Sequence, residues 1–290
     1  MPVWKFRNKS VSYPASGLLE SVLKARGLSS PRYEVFYSSP FSIPGMKGVA
    51  HRLVRSILRK EKVLVFGDYD CDGICAAYIM CDFLNRYGAR AAVKFPLRRE
   101  GYGIRGSHVY QAWEKGYDLV VTVDNGISAV EAAEMARFLG IDLVITDHHE
   151  AGTSLPQALI TDPKLPSSIS YREYSGAGVA YKTCCAVCEL LGIDYPQEYL
   201  DLVSLATVVD VCPLTGENFV LAREGMLRMR KSPRLGIAAL LNVAGVSRIT
   251  GEVMSWVLGP RINAAGRWDD PMLAYRLIAT NSKAEAERLA

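Results

Sequence analysis

A chain of 290 residues, 49% hydrophobic and 22% charged, carries enough apolar material for one large core or about two of ~150 residues, and is far from a disordered or low-complexity polymer. Its net charge of +4 allows a polyanionic partner without requiring one. No apolar run approaches the ~20 residues of a membrane span, and an odd count of seven cysteines with no apolar leader points to reduced thiols in a cytoplasmic protein.

In chain order, residues 1–60 read as a helical extension. Apolar positions have helical spacing over 18–23 and 49–58, on either side of a Ser-, Pro- and Tyr-rich loop over 29–44. From Glu61 the pattern alternates. Strands begin near Val63, Ala91, Leu119, Leu143 and Ala158, with helices over 74–87, 107–113 and 128–139. This alternation predicts an α/β fold with a doubly wound, mostly parallel sheet, and the nearly unbroken apolar runs at 63, 119 and 143 suit strands covered on both faces. After Tyr174 the chain reads as helical, over 176–191, 198–209, 216–229 and 235–243. Residues 283–290 form a helix without a stop signal, expected to be the start of a longer connecting helix. The resulting division is 1–60, 61–280 and 281–290.

Three of the strands run straight into polar, mostly acidic clusters: Asp68-Tyr69-Asp70-Cys71-Asp72-Gly73, Asp124-Asn125-Gly126 and Asp147-His148-His149. In an open α/β sheet, ligands bind outside the carboxyl ends of the strands, so these ends are expected to converge. Carboxylates crowded together raise one another's pKa and need a cation. Helix capping by Asp72 would explain one aspartate of the first cluster but not three. A calcium loop counted from Asp68 fails, because its twelfth position is Ile79 rather than Glu. Asp-Asn-Gly is a turn former in its own right; its place at the same sheet edge favours a ligand. Adjacent histidines at a strand end point in different directions, so one can hold a metal while the other faces substrate.

Asp210 lies alone inside the apolar run 206–213, where a buried carboxylate needs a donor or a metal. Oxygen donors with one or two imidazoles suit manganese or magnesium, and there are enough of them for two ions ~4 Å apart, as in phosphoryl-cleaving sites. Cys184, Cys185 and Cys188 share one predicted helix and read as core, not as a zinc site. Cys71, inside the acidic cluster, is a candidate point of oxidation or metal poisoning. Ser175-Gly176-Ala177-Gly178 precedes a helix whose free amides would attract an anion, with simple helix packing the alternative. Residues 259–267 set Arg261 and Arg267 among small residues that permit close backbone approach, the alternative being a surface loop.

The Asp-His-His triplet with the Asp68–Gly73 cluster and Asp124 resembles the DHH phosphoesterase superfamily. Within it, residues 100–103, 209–218 and 259–267 resemble the RecJ-type exonucleases, and the likeness runs over nearly the whole chain. The resemblance implies two-metal-ion hydrolysis of single-stranded DNA from its 5′ end, supported by two Mn2+ or Mg2+ ions. It implies Asp70, Asp72, Asp124, His148 and Asp210 as metal ligands, Asp68 and Asp147 as their support, and His149 near the scissile phosphate. Arg261, Arg267, Arg98 and the Ser175, Gly176 and Gly178 turn would hold substrate phosphates. The segment between Arg98 and Gly101 is one residue shorter than the family pattern. Such proteins also carry DHH-associated and OB-type domains, which the 290 residues do not include. Single-stranded DNA is the implied partner, with a single-strand-binding protein or a helicase as further candidates. The alternatives are a superfamily phosphodiesterase for short oligonucleotides or cyclic dinucleotides, and a catalytically silent nucleic-acid-binding replication subunit.

Overall fold

A computed structural model describes residues 37–97, 101–166, 171–268 and 270–290. The helix expected over 18–23 lies outside them. Of the loop expected over 29–44, the described part contains one 3-10 turn, Pro40–Ser42. Helix α1 (Met46–Leu58) follows. The α/β alternation then runs β1 (Lys62–Gly67), α2 (Cys71–Arg86), β2 (Arg90–Lys94), α3 (Gly106–Glu114), β3 (Leu119–Val123), α4 (Val130–Leu139), β4 (Asp142–Thr146) and β5 (Leu159–Thr161). A helical half completes the chain: α5 (Gly176–Leu191), α6 (Leu200–Val209), α7 (Gly216–Lys231), α8 (Leu235–Val243), α9 (Gly251–Val253), a π turn (Met254–Leu258), α10 (Gly259–Arg267), α11 (Pro271–Ala279) and α12 (Lys283–Leu289).

All five strands are parallel, in the order β2-β1-β3-β4-β5. Strand alternation divides the core in two. Val63, Val65, Leu119, Val121, Val123 and Val144 face the larger cluster, shared with α1, α2 and α5. Leu64, Phe66, Val120, Leu143 and Ile145 face the smaller one, shared with α3 and α4. Burial on both faces is what the unbroken apolar runs require.

Two close packings organise the helical half. Lys182 of α5 and Glu217 of α7 form a buried ion pair (Nζ–Oε1 2.8 Å), and Ser38 and Tyr174 donate their hydroxyls to the other carboxylate oxygen, Oε2. The Lys182 ammonium also donates to Ser38 O (2.6 Å), so the segment ahead of α1 is tied to α5 and α7. At Gly225, α7 crosses α6 so closely that an added Cβ would lie 1.9 Å from Leu200 O and 2.5 Å from Ser204 Cβ.

Residues 259–267 are not a surface loop, the alternative weighed from sequence. They form α10, which follows the π turn without a break and has Pro260 as its second residue.

Helix propensity alone would make Gly225→Ala stabilising by up to ~1 kcal/mol. The α6–α7 contact reverses that sign, with an expected loss of about 1–3 kcal/mol or more. The urea midpoint should fall; an unchanged or raised midpoint would contradict the contact.

Candidate metal centre

Strand order reverses between β1 and β3, and an open parallel sheet has its ligand crevice at such a switch point. The registers bring the strand ends level: Gly67 pairs with Val123, Val123 with Thr146, and Thr146 with Thr161. Asp68, Asp124, Asp147 and Asp162 are the next residues, so they form one row of buried aspartates along the sheet edge.

Backbone devices hold this row. Asp124 adopts a left-handed conformation (φ 60°), which few non-glycine residues do, and Gly126 follows at φ 113°. The Asn125 amide donates to Phe66 O (3.1 Å) and Val123 O (2.9 Å), fastening the ends of β1 and β3 together. Gly176 presses on the site from α5: a Cβ there would lie 2.4 Å from Asp124 Oδ1.

His148 Nε2 stands 2.9 Å from Asp124 Oδ1 without the geometry of a hydrogen bond, and 3.7 Å from Asp72 Oδ2. Asp124 Oδ1 and Asp68 Oδ1 are buried and receive no hydrogen bond. Among the described residues, three sets each bring one ligand atom per member within 4.8 Å of the others: Asp68, Asp70 and Asp124; Asp124, His148 and His149; His148, Asp210 and Cys212. Shared members link the three sets. Orphaned carboxylate oxygens facing an imidazole nitrogen are the donor set a hard divalent ion accepts, so these residues fit manganese or magnesium.

Asp72 is held in the first turn of α2 and accepts from Gly176 N (2.6 Å) and Ala177 N (2.7 Å) at the start of α5. The cap of α2 is Asp70, not Asp72, because Gly73 N donates to Asp70 Oδ1 (3.0 Å). Asp210 is exposed at the C-terminal end of α6, rather than buried in an apolar run as its neighbours suggest. It still faces the cluster, and its charge helps to raise the pKa values of Asp70 and Asp72.

Burial and mutual repulsion set the electrostatics. Burial first, and Asp70 second, raise the Asp68 carboxyl to about 7. Burial and neighbouring aspartates raise Asp72 and Asp124 well above the ordinary range. Burial lowers His148, keeping its ring neutral and able to coordinate. His149 moves the other way because Asp147 Oδ1 lies 2.7 Å from its Nδ1. Burial works to raise Asp147, but the bonds from His149 and from Ile127 N outweigh it and leave it lowered. His149 also lies 3.3 Å from the Tyr102 hydroxyl, which donates to Asp124 O. Both side chains line a cleft of about 210 Å³ with Ile104, Ile127, Ala129 and Glu150.

The residues expected at substrate phosphates fare differently. The Ser175, Gly176 and Gly178 turn is a correction. The Gly176 amide is taken by Asp72 and the Gly178 amide by Ser175 Oγ (3.1 Å), all of them buried, so the turn anchors a carboxylate rather than offering an open anion site. Arg261 Nη1 donates to Val257 O of its own helical run, and Arg267 is exposed. Arg98 lies outside the described residues. Cys71 is also corrected as a point of attack, since it is only 1% exposed.

Two residues escaped the sequence reading. Asp162 (Oδ1 2.7 Å from Lys164 N) was hidden by its short strand, although Thr-Asp after an apolar run repeats the pattern of the other edges. Asn263 accepts from Cys71 N (2.7 Å), and nothing local in the sequence marks it. With Gly259 against Val209 and Gly266 against Tyr69, Asn263 makes α10 a strut between the Asp210 and Asp70 segments.

Comparison with known proteins agrees with this geometry. RecJ of Bacillus subtilis, a single-stranded-DNA-specific exonuclease, is 38% identical over 260 residues, spanning 88% of this chain and 32% of that protein. RecJ of Thermus thermophilus is 35% identical over 250 residues, 85% of this chain and 37% of its own length. The chain thus spans about a third of these curated relatives. The crystal structure of an exonuclease RecJ bound to manganese matches with TM-score 0.80 and 34% identity over 87% of this chain and 65% of that one. The T. thermophilus RecJ structure in complex with Mn2+ matches with TM-score 0.79 and 30% identity, over 92% and 39% of the two chains. With the DHH family's N-terminal domain matching residues 62–207, half of its length, the chain belongs to the DHH family.

Proposed function

We propose that this chain is a metal-dependent phosphodiesterase that degrades single-stranded DNA, as its relatives' description as single-stranded-DNA-specific exonucleases suggests, and that it starts from the 5′ end. The observation carrying this reading is the meeting of Asp70, Asp124, His148 and Asp210 in linked ligand sets at the switch point, with buried carboxylate oxygens that no donor satisfies. Asp70, Asp72, Asp124, His148 and Asp210 would hold two ions, Mn2+ or Mg2+. The catalytic part would occupy residues 61–280, with 1–60 as its extension and 281–290 opening a connecting helix.

When bound, the ions supply an acidified water and neutralise charge on the attacking and leaving oxygens. The chain's own residues supply position. The Gly176 and Ala177 amides fix both Asp72 oxygens, and Asp68 and Asp147 support the ligands from behind. Asp147 engages His149 Nδ1 and leaves Nε2 as the nitrogen available to a phosphate oxygen, a charge-assisted contact once the ring is protonated. Arg261, Arg267 and Arg98 would follow the substrate backbone. Single strands, supplied by a helicase or held by a single-strand-binding protein, fit a cytoplasmic role in DNA repair and recombination. Among the described residues no helix is long and apolar enough to cross a membrane.

In an assay on 5′-labelled single-stranded DNA with Mn2+, Asp124→Ala and His148→Ala should each lower hydrolysis by at least about 100-fold, since even outer-shell partners of metal ligands typically cost 10–100-fold. Near-native rates in either variant would overturn the site assignment.

Metal binding should also appear as stability. Without metal, the Asp68 carboxyl titrates near 7 when folded and near 4 when unfolded, so the folded form holds the extra proton. That contribution is present below about pH 4 and lost as pH rises through about 7. Mn2+ needs the deprotonated forms of its ligands Asp72 and Asp124, which are raised in the same way, so its increase in melting temperature should be larger at pH 8 than at pH 5, with about 2.7 kcal/mol gained at 100 times Kd. Equal shifts at both pH values would contradict the buried carboxylate set.

A further inference from the structure

Cys212 lies beside the candidate metal centre. The other six cysteines are buried, whereas Cys212 is partly exposed beside the carboxylates. Its placement depends on Val211, a β-branched residue in the left-handed region (φ 59°) and 84% exposed. That turn closes α6, with Cys212 N donating to Thr207 O (3.1 Å), and sends the Val211 side chain outward while Asp210 and Cys212 come together. The Cys212 thiol donates to Asp210 Oδ2 at 3.1 Å. One ligand atom each of His148, Asp210 and Cys212 lies within 4.8 Å of the others.

We propose that His148, Asp210 and Cys212 form a zinc-selective inhibitory site on the Asp210 side of the metal centre. The proposal rests on the function proposed above, because His148 and Asp210 are shared with the hard-ion ligands. Zinc takes four tetrahedral ligands with bonds of about 2.0–2.3 Å, which puts its donors about 3.5 Å apart. The three side chains need only a small adjustment to reach that spacing, and the fourth position stays open. Zinc binds mixed N, O and S donors more tightly than manganese does, and a thiolate widens the gap. On binding, the thiol gives up its proton to solvent and the sulfur becomes a zinc ligand; no oxidation is involved. Zinc held there occupies two side chains that the hydrolytic ions need, His148 and Asp210, so the pair of ions cannot assemble while it is bound. Soft-metal sensitivity, which the sequence alone suggests for Cys71, belongs to Cys212.

The test uses Co2+ as a spectroscopic stand-in for zinc on the metal-free chain. The near-ultraviolet thiolate-to-cobalt band should correspond to one thiolate per chain, disappear on adding Zn2+, and be absent from Cys212→Ser. In the single-stranded-DNA assay with Mn2+, the zinc concentration that halves each protein's own rate should be at least tenfold higher for Cys212→Ser than for the native chain. A native chain with no thiolate band, a band that persists in Cys212→Ser, or equal zinc sensitivity overturns the proposal. The cobalt spectrum decides the site without any hydrolysis; a chain that shows the band but no Mn2+-dependent cleavage contradicts the hydrolytic reading instead.

Discussion

Mutual repulsion among carboxylates at one sheet edge is the constraint around which this structure is arranged. Four strands end level, and each hands an aspartate to the same row. Asp70 and Asp72 approach from the start of α2 and Asp210 from the end of α6. Each carboxylate placed near others out of water disfavours its own ionised form, and a fold with nothing to hold there would avoid the arrangement. That, among the described residues, aspartates and burial rather than lysines or arginines dominate the field at Asp68, Asp70, Asp72 and Asp124 is the strongest physical reason to regard it as a cation site.

The surrounding elements make sense as supports for that arrangement. The start of α5 spends two amides on Asp72, which keeps a buried carboxylate in place without a counter-charge. Gly176 must lack a side chain because Asp124 fills the space, and Asp124 itself sits in a backbone conformation that tertiary context must hold. Helix α10 lies across the cluster through Gly259, Asn263 and Gly266, preceded by a π turn of the kind often found beside functional sites. The buried Lys182–Glu217 pair fixes α5 against α7, so the amides that hold Asp72 are anchored from behind.

Much of this was legible in the residues. The five strands and the alternation that makes them parallel were readable because strands buried on both faces leave unbroken apolar runs. The clustered carboxylates stood out because charges seldom follow such runs. Asp210 stands out in sequence as a lone acid, but its setting does not: an apolar helix ending at the surface looks in sequence like a segment passing through the core. The Ser175–Gly178 turn reads in sequence as an anion site or as simple helix packing, and the anion it holds is the protein's own Asp72. Asn263 and the Val211 conformation could not be read at all, because each depends on a tertiary contact or a dihedral angle with no local signature.

Anomalous diffraction at the manganese edge, on crystals of this chain grown with Mn2+, tests the central claim most directly. Two peaks roughly 4 Å apart should appear, one beside Asp70 and Asp124 and the other beside His148 and Asp210. Maps with no peak at the β1–β3 switch point, or with manganese bound only elsewhere on the surface, would contradict it.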